Sequence, residues 1–418
     1  MATALVGCTS PVLPATASPG VVTPTLAPPT ASPPPPSQSP SSPPAALFTW
    51  AARPDVFGGE NGASLVNVAA GPAGLVAVWA RPPDEGSPSF ALWGSPDGLS
   101  WQPINPTGLP DRVYISGLWG AAGLYWLRGS LPDSEDPGIL YRSSDGLTWR
   151  PSRGFKSDFD SPWVADGCGA STSPGTACPV FLVGTKNVDG VIYRSTDGGD
   201  TWAKATVDDA TGWQGTQDAA PVAIAGVIAT TDGLLAFGNG LANGTDTGGY
   251  LQSRFWRSSD GGVTWSRVPN AAPLGELYVR DVVAGRTGIV AVGSRVDSSV
   301  AVALSSSDGG RTWSQAATTG AREDGSLYEV FAAGDGFLGL GFSEPAAADD
   351  FPVRESVWTS DDGMIWLRGP AGDLDGGVVD DAVRSGDRIV ATGRAWTTEG
   401  LSGTWEAPHG AAVWTLRQ

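Results

Sequence analysis

The sequence predicts an all-β chain, and three observations predict it. Gly (58 copies) and Pro (35 copies) are abundant while charged residues make up 16%, a composition suited to many tight turns rather than long helices. Trp is very frequent, with 18 copies. One short pattern, S-x-D-G followed closely by Trp, recurs along the chain at intervals near fifty residues.

The pattern occupies 95–101, 143–149, 195–202, 258–265, 306–313 and 360–366. Three copies have the short form S-x-D-G-x-x-W: Ser95, Asp97 and Trp101; Ser143, Asp145 and Trp149; Ser360, Asp362 and Trp366. Three have the longer form S-x-D-G-G-x-T-W: Ser195, Asp197 and Trp202; Ser258, Asp260 and Trp265; Ser306, Asp308 and Trp313. Successive Trp positions differ by 48, 53, 63, 48 and 53. Upstream of each copy lies a strand pair split by a Gly-containing turn, as in "YVRDVVAGRTGIVAVGS". A third strand runs into the pattern and the Trp begins a fourth. Each repeat therefore reads as a four-stranded meander, A-B-C-D, with the pattern at the C–D turn. A period near fifty with this patterning is the signature of propeller blades.

The turn has a mechanical reading. Its Gly residues supply the positive φ of a tight hairpin. Ser and Asp side chains hydrogen-bond the turn's own backbone. The Trp plugs the space between neighbouring blades, where burying one ring removes about 200 Å² from water. These six turns resemble Asp boxes, the bacterial neuraminidase repeats found in sialidases, sortilin-type receptors, xyloglucan-cleaving glycosidases and photosystem II assembly-factor propellers. The resemblance covers nearly all of 47–418 and implies that the box is a fold element away from any active site.

Six boxes mark six blades, and 378–418 repeats the A, B and C strands once more without a box. The missing strand D is sought at the other end, where "ALFTWAARP" carries Thr49-Trp50 like the "TW" that closes a box, and Trp50 precedes Trp101 by 51. The expectation is a seven-bladed β-propeller over 47–418, its last blade closed by an N-terminal strand at 46–53. Such closure removes open sheet edges. Residues 9–46 are almost entirely Ser, Thr, Pro, Ala, Val and Gly and are expected to form a linker without a core. Before it, Leu5-Val6-Gly7-Cys8 resembles a bacterial lipobox, so 1–8 reads as the remnant of a lipoprotein signal with Cys8 as the lipidation site. The charged and most of the apolar part of such a signal are missing from it.

The remaining cysteines, Cys168 and Cys178, flank a long A–B turn of the third blade. They read as a disulfide suited to an extracytoplasmic compartment, or alternatively as two free thiols. The formal net charge of −18 disfavours nucleic acid as a partner. The single histidine, His409, sits in a Pro/Gly-flanked loop and reads as exposed. Asn243-Gly244-Thr245 matches a glycosylation sequon without further support. No stretch reaches the roughly 20 apolar residues of a membrane span.

In an antiparallel meander the A–B and C–D turns share one face and the B–C and D–A connections share the other. The long connections lie on the second face, where ligand is expected: 81–89, 129–138, 239–253, 342–354 and 394–410 for B–C, and 51–63, 150–162, 203–220 and 316–326 for D–A. Aligning strands A places Asn67, Ser116, Asp281, Glu329 and Asp381 at one position. The three acids come from consecutive blades and line the channel. They read as a solvated polar lining, as oxygen ligands for Ca²⁺, or as a carboxylate pair acting on a glycan. Arg280 and Tyr328 lie beside them as further candidate ligand contacts.

The sialidase resemblance implies three substrate-binding arginines, a Tyr nucleophile paired with Glu, and an acid/base Asp. The nearest match to its first arginine motif is "AARPD", with Arg53 and Asp55, which lacks the expected Ile. Arg280, Arg322, Arg354 and Arg384 have no diagnostic neighbourhood, and Tyr114, Tyr278 and Tyr328 lie near strand A starts. No catalytic set is complete. The sequence thus points to a monomeric, surface-tethered propeller that binds a protein or glycan. The alternatives are a divergent sialidase-like glycoside hydrolase and an assembly-factor-like propeller for a membrane complex. An exposed aromatic patch at the channel mouth would favour binding, three arginines around a Tyr–Glu pair hydrolysis, and a basic groove the assembly factor.

Overall fold

The computed structural model describes residues 57, 63–81, 89–111, 113–131, 138–153, 159, 162–168, 178–214, 219–241, 251–269, 277–295, 300–319, 325–343, 354–369, 374, 377–396 and 409–417. Among them there is no α-helix. Seven blade sheets of antiparallel A–D strands follow one another in chain order, with a two-stranded hairpin, Trp213–Gln214 and Ala219–Ala220, between the third and the fourth. Blade 1 is Ser64–Gly71, Gly74–Arg81, Ser89–Ser95 and Gln102–Ile104; blade 2 is Tyr114–Ala121, Leu124–Ser130, Ile139–Ser143 and Arg150–Pro151. Blade 3 is Trp163–Asp166, Val180–Lys186, Asp189–Ser195 and Ala203–Lys204; blade 4 is Ala223–Thr230, Gly233–Leu241, Leu251–Ser258 and Thr264–Arg267. Blade 5 is Leu277–Ala284, Ile289–Arg295, Ala301–Ser306 and Ser314–Gln315; blade 6 is Gly325–Ala333, Gly336–Ser343, Arg354–Ser360 and Ile365–Gly369. Blade 7 has three described strands, Gly377–Ser385, Arg388–Trp396 and His409–Arg417. The fold is that of a seven-bladed β-propeller.

Strands B are covered on both faces by neighbouring blades, so they read as near-continuous apolar runs: Ile289–Ser294 is buried throughout. The buried side chains sort into seven clusters, one at each interface between successive blades, including the one where blade 7 meets blade 1 through Val390, Ala411, Val413, Leu65 and Leu75. The box Trp of each blade packs into the interface with the blade before it. Trp149 lies among Val76, Val78 and Leu92 of blade 1, and Trp265 beside Phe181 of blade 3.

The six turns share one hydrogen-bond scheme. In the second, Ser143 Oγ donates to Asp145 Oδ1 (2.8 Å) and accepts from Gly146 N (2.9 Å). Asp145 Oδ1 accepts from Leu147 N and Thr148 N (2.8 and 2.7 Å), and Trp149 Nε1 donates to Gly146 O (3.1 Å). The backbone N–H groups of Thr148 and Leu147 hold the Asp145 carboxyl down at about 2. In the long form a threonine joins: Thr201 and Thr264 donate through both hydroxyl and N–H to Asp197 and Asp260, holding both carboxyls well below the usual range. The second glycine of the long form has positive φ (87° at Gly199, 88° at Gly262). It also presses on the preceding blade, since a Cβ there would stand 2.4 Å from the Trp126 ring or 2.3 Å from the Phe181 ring. Two copies depart from the scheme. Trp202 Nε1 donates to Ser152 Oγ, which in turn donates to Gly199 O. Trp313 stacks on Phe255 at 4.5 Å with its Nε1 buried and unpaired.

Two features were not read from the sequence. The arginine of "YRS" clamps the next blade: Arg142 bonds Gly198 O and Asp200, and Arg194 donates to Gly261 O at 2.6 Å. Arg388 of blade 7 does the same to Asp97 O of blade 1 at 3.0 Å. Secondly, parts of the D–A connections expected on the ligand face are structural instead. Thr206–Val207 pairs in parallel with Thr264–Trp265, Ala317–Thr319 pairs with Ile365–Leu367, and Thr107 bridges Thr148. Each connection thereby covers the outer edge of the blade that follows. Cys168 and Cys178 are joined in a disulfide with Cα atoms 5.5 Å apart. The strand expected at 46–53, the linker 9–46, Cys8 and Asn243 lie outside the described residues, as does the His409 side chain.

Candidate functional site

Strands A form the inner rim of the ring, and all but that of blade 3 carry a β-bulge at the same place. The inserted residues are Val66, Ser116, Ala225, Arg280, Tyr328 and Asp380, which the pairing skips. This corrects the sequence alignment at one position. Ser116 is the inserted residue of blade 2, and Gly117, paired with Arg128, occupies the place expected for it. Blades 1, 5, 6 and 7 carry the same bulge, so blade 2 differs from them in the residue at this place and not in strand length.

Counted by pairing to strand B, the inner tier reads Asn67, Gly117, Trp163, Gly226, Asp281, Glu329 and Asp381 from blade 1 to blade 7. The three acids do converge, and each also fastens the next blade. Asp281 Oδ2 accepts from Val330 N (2.9 Å), Glu329 from Ala382 N, and Asp381 Oδ2 from Val68 N (2.9 Å). These N–H groups belong to inner strands with no further strand beside them, so the carboxylates satisfy edge donors. Burial pushes the Asp281 carboxyl up to about 6 and Asp381 up to about 7. Glu329 is raised well above the ordinary range by burial and then by the charges of Asp381 and Asp281. Among the described residues no group of three or more His, Cys, Asp or Glu is arranged to hold a metal ion.

A second acidic group lies next to it, between blades 6 and 7. Glu355, 3% exposed, accepts from Tyr328 Oη (2.8 Å) and from Val379 N (3.1 Å). Its carboxyl is pushed up to about 7 by burial, and the Tyr328 hydroxyl is raised well above 10 by burial and by Glu355. Ser64 Oγ donates to Asp380 across the blade 7–blade 1 seam. Glu355 is a residue sequence reasoning missed; the signal was an acid at the strand C position held by Phe90 in blade 1 and Ala301 in blade 5.

The two candidate arginines whose side chains are described, Arg280 and Arg384, do not gather around this pair. The Arg280 guanidinium lies over the Tyr278 ring at 5.1 Å. Arg384 donates to Ala332 O and Gly386 O at the A–B turns, on the box face. Arg53, Asp55, Arg322 and the Arg354 side chain lie outside the described residues.

On the face opposite the boxes, large apolar side chains stand in the open on blades 2 and 3. Tyr114, Leu131, Ile139 and Trp163 are 46%, 47%, 37% and 52% exposed. Tyr114 starts strand A, Leu131 follows strand B and Ile139 starts strand C of blade 2, so they run outward from the channel; Trp163 starts strand A of blade 3. Tyr114 is braced edge-on by Phe90 at 5.0 Å, and Trp163 packs against Trp119 at 6.2 Å.

No protein-family model matches the chain, and no curated protein matches it. Solved structures share the fold. The structure of YCF48 bound to D1 peptide superposes with a TM-score of 0.51 at 12% identity, over 88% of this chain and 95% of that one. Trypanosoma rangeli sialidase in complex with sialic acid gives 0.42 at 12% identity, over 84% of this chain and 54% of that one. Penicillium chrysogenum α-L-arabinanase complexed with arabinobiose gives 0.40 at 12% identity, over 89% and 97%. These are likenesses of fold.

Proposed function

We propose that this chain is an Asp-box propeller, tethered outside the cytoplasm through Cys8 and the 9–46 linker, that binds a protein partner without catalysis on the face opposite the boxes. The observation that carries the reading is the set of exposed apolar side chains Tyr114, Leu131, Ile139 and Trp163 on that face. Rigid aromatic and aliphatic side chains held by a scaffold are the usual anchors of protein interfaces. That YCF48 has been solved bound to D1 peptide supports the idea that this fold accepts a peptide. The test is a photo-crosslinking amino acid placed at Ile139, and at Leu147 on the box face as control, in cells making the full chain. A discrete protein adduct at 139 and none at 147 is expected. No adduct, or equal adducts at both, overturns the reading.

One observation favours a second reading, hydrolysis: the hydrogen bond between Tyr328 and Glu355. Against it, the phenol is buried and held protonated, and Glu355 is also occupied by Val379 N. An α-sialoside assay separates the two readings, since hydrolysis abolished by Tyr328→Phe would establish the second.

A further inference from the structure

Blade 2 carries a pair of like charges that the repeat does not require. In every box-bearing blade the residue before the box Ser pairs across strands C and D with the residue after the box Trp. The pair is Gly94 and Gln102 in blade 1, Arg194 and Ala203 in blade 3, and Arg257 and Ser266 in blade 4. It is Ser305 and Ser314 in blade 5, and Thr359 and Leu367 in blade 6. In blade 2 it is Arg142 and Arg150. Residues directly opposite in an antiparallel pair project from the same face, and two cations placed so repel one another.

The fold accounts for one of the two. Arg142 clamps Gly198 O and Asp200 of blade 3, and Arg194 makes the like bond to Gly261 O with only Ala203 opposite it. Arg150 is exposed and makes no hydrogen bond or ion pair among the described residues.

Both arginines line a cleft of about 210 Å³, together with Leu124, Ser143, Ser144 and Thr148. The third box borders it, since a Cβ at Gly198 would stand 3.5 Å from Arg142 Nη1 and 3.8 Å from Leu124 Cδ1. The two carboxylates bonded to the lining are already engaged. Asp200 is held by Arg142, and Asp145 accepts from Ser143 Oγ, Leu147 N and Thr148 N. With Arg142 set against Asp200, the charge of Arg150 is left over, on a chain whose formal net charge is −18.

We infer that this cleft binds a small sugar acid, its carboxylate on Arg150 beside Arg142, its hydroxyls on Ser144 and Thr148, and its C–H face on Leu124. One unmatched cation calls for one negative charge, and the planar guanidinium fork fits a carboxylate through two parallel hydrogen bonds. Serine and threonine hydroxyls both donate and accept, as sugar hydroxyls require. The cleft is smaller than the roughly 300 Å³ at which sites for drug-sized ligands begin, which limits the ligand to a single sugar ring. The site lies beside the boxes, on the opposite face from the protein-binding surface, and does not depend on that reading.

The test is isothermal titration calorimetry on the full chain at pH 7 and low salt, with D-glucuronate, D-glucose, inorganic phosphate and sulfate as probes. Glucuronate is expected to bind at least about tenfold tighter than each of the others. Arg150→Ala should weaken glucuronate at least about tenfold. The variant should fold, because blade 3 carries Ala203 at the same place. Arg153→Ala removes the same charge from a nearby exposed residue and should leave glucuronate affinity nearly unchanged. Glucuronate binding that survives Arg150→Ala, or that Arg153→Ala weakens equally, overturns the site. Phosphate or sulfate binding as tightly as glucuronate overturns the ligand class, as does glucose doing so. Absence of glucuronate binding to the unaltered chain overturns the inference outright.

Discussion

Asp281 should make the ring less stable when it ionises, so removing its charge should stabilise the protein at high pH. Its folded carboxyl titrates near 6 against an ordinary 3.8, because burial outweighs the N–H groups of Val330 and Val282. A folded value above the unfolded one means that the folded state holds the proton longer. Stability is then fully present below about 3.8 and is lost as pH rises through 6. At about 1.4 kcal/mol per pH unit the full cost is at most about 3 kcal/mol, of which about 2 kcal/mol accrues between pH 4.5 and 8. Asp281→Asn keeps the acceptor for Val330 N and cannot ionise. It gives up one acceptor for Val282 N, a loss of about 1 kcal/mol at any pH. The difference between variant and parent should therefore move in the variant's favour by about 2 kcal/mol from pH 4.5 to pH 8. Urea unfolding at the two pH values measures it, with the box aspartates common to both proteins and cancelling. A difference that does not change with pH, or that moves toward the parent at pH 8, would refute the assignment of Asp281 as a charge buried at a cost.

Four other outcomes follow from the same packing. Trp149→Ala, at a ring 2% exposed, should cost about 3–5 kcal/mol by chemical denaturation, whereas Leu147→Ala, two residues away and 50% exposed, should stay within about 0.5 kcal/mol. Asp145→Ala, which orphans two backbone N–H groups, should cost about 1–2 kcal/mol at pH 7. Its folded value is lowered to about 2, so that cost is fully present above about 4 and fades in acid unfolding as pH falls toward 2. Reduction, or Cys168→Ser with Cys178→Ser, should lower the free energy of unfolding in urea by up to about 3 kcal/mol in the chain-entropy treatment. Trp50→Ala should destabilise the propeller by an amount like Trp149→Ala if 46–53 supplies the last strand, and by nothing measurable in the same denaturation assay if it does not.

The blades, their number and the hydrogen bonding of the S-x-D-G turns were legible because they are local. Ser, Asp, Gly and Trp act within eight residues of one another, and a period near fifty is visible by eye. That Asp281, Glu329 and Asp381 share one tier was legible for the same reason, since each falls at the same offset from its own A–B turn. What escaped was whatever depends on a neighbour in space. That Gly117 rather than Ser116 stands in the tier shows only in its pairing with Arg128. Trp163 was not aligned with the acids because blade 3 enters its strand A late and has no bulge. Arg142 and Arg194 look like ordinary exposed strand residues until the carbonyls of Gly198 and Gly261 are brought to them by the next blade. Glu355 gains meaning only from Tyr328 and Val379.

The parallel pairings on the outer edges have a consequence for how the ring comes apart. Thr107 ties the exit of blade 1 to blade 2, Thr206–Val207 ties blade 3 to blade 4, and Ala317–Thr319 ties blade 5 to blade 6. Blade 2 is tied to blade 3 by side chains instead, through Arg142 on Gly198 O and Asp200 and through Ser152 Oγ on Gly199 O. A blade whose outer edge is held by the exit of the blade before it does not open alone, so the cooperative element of local opening spans more than one blade.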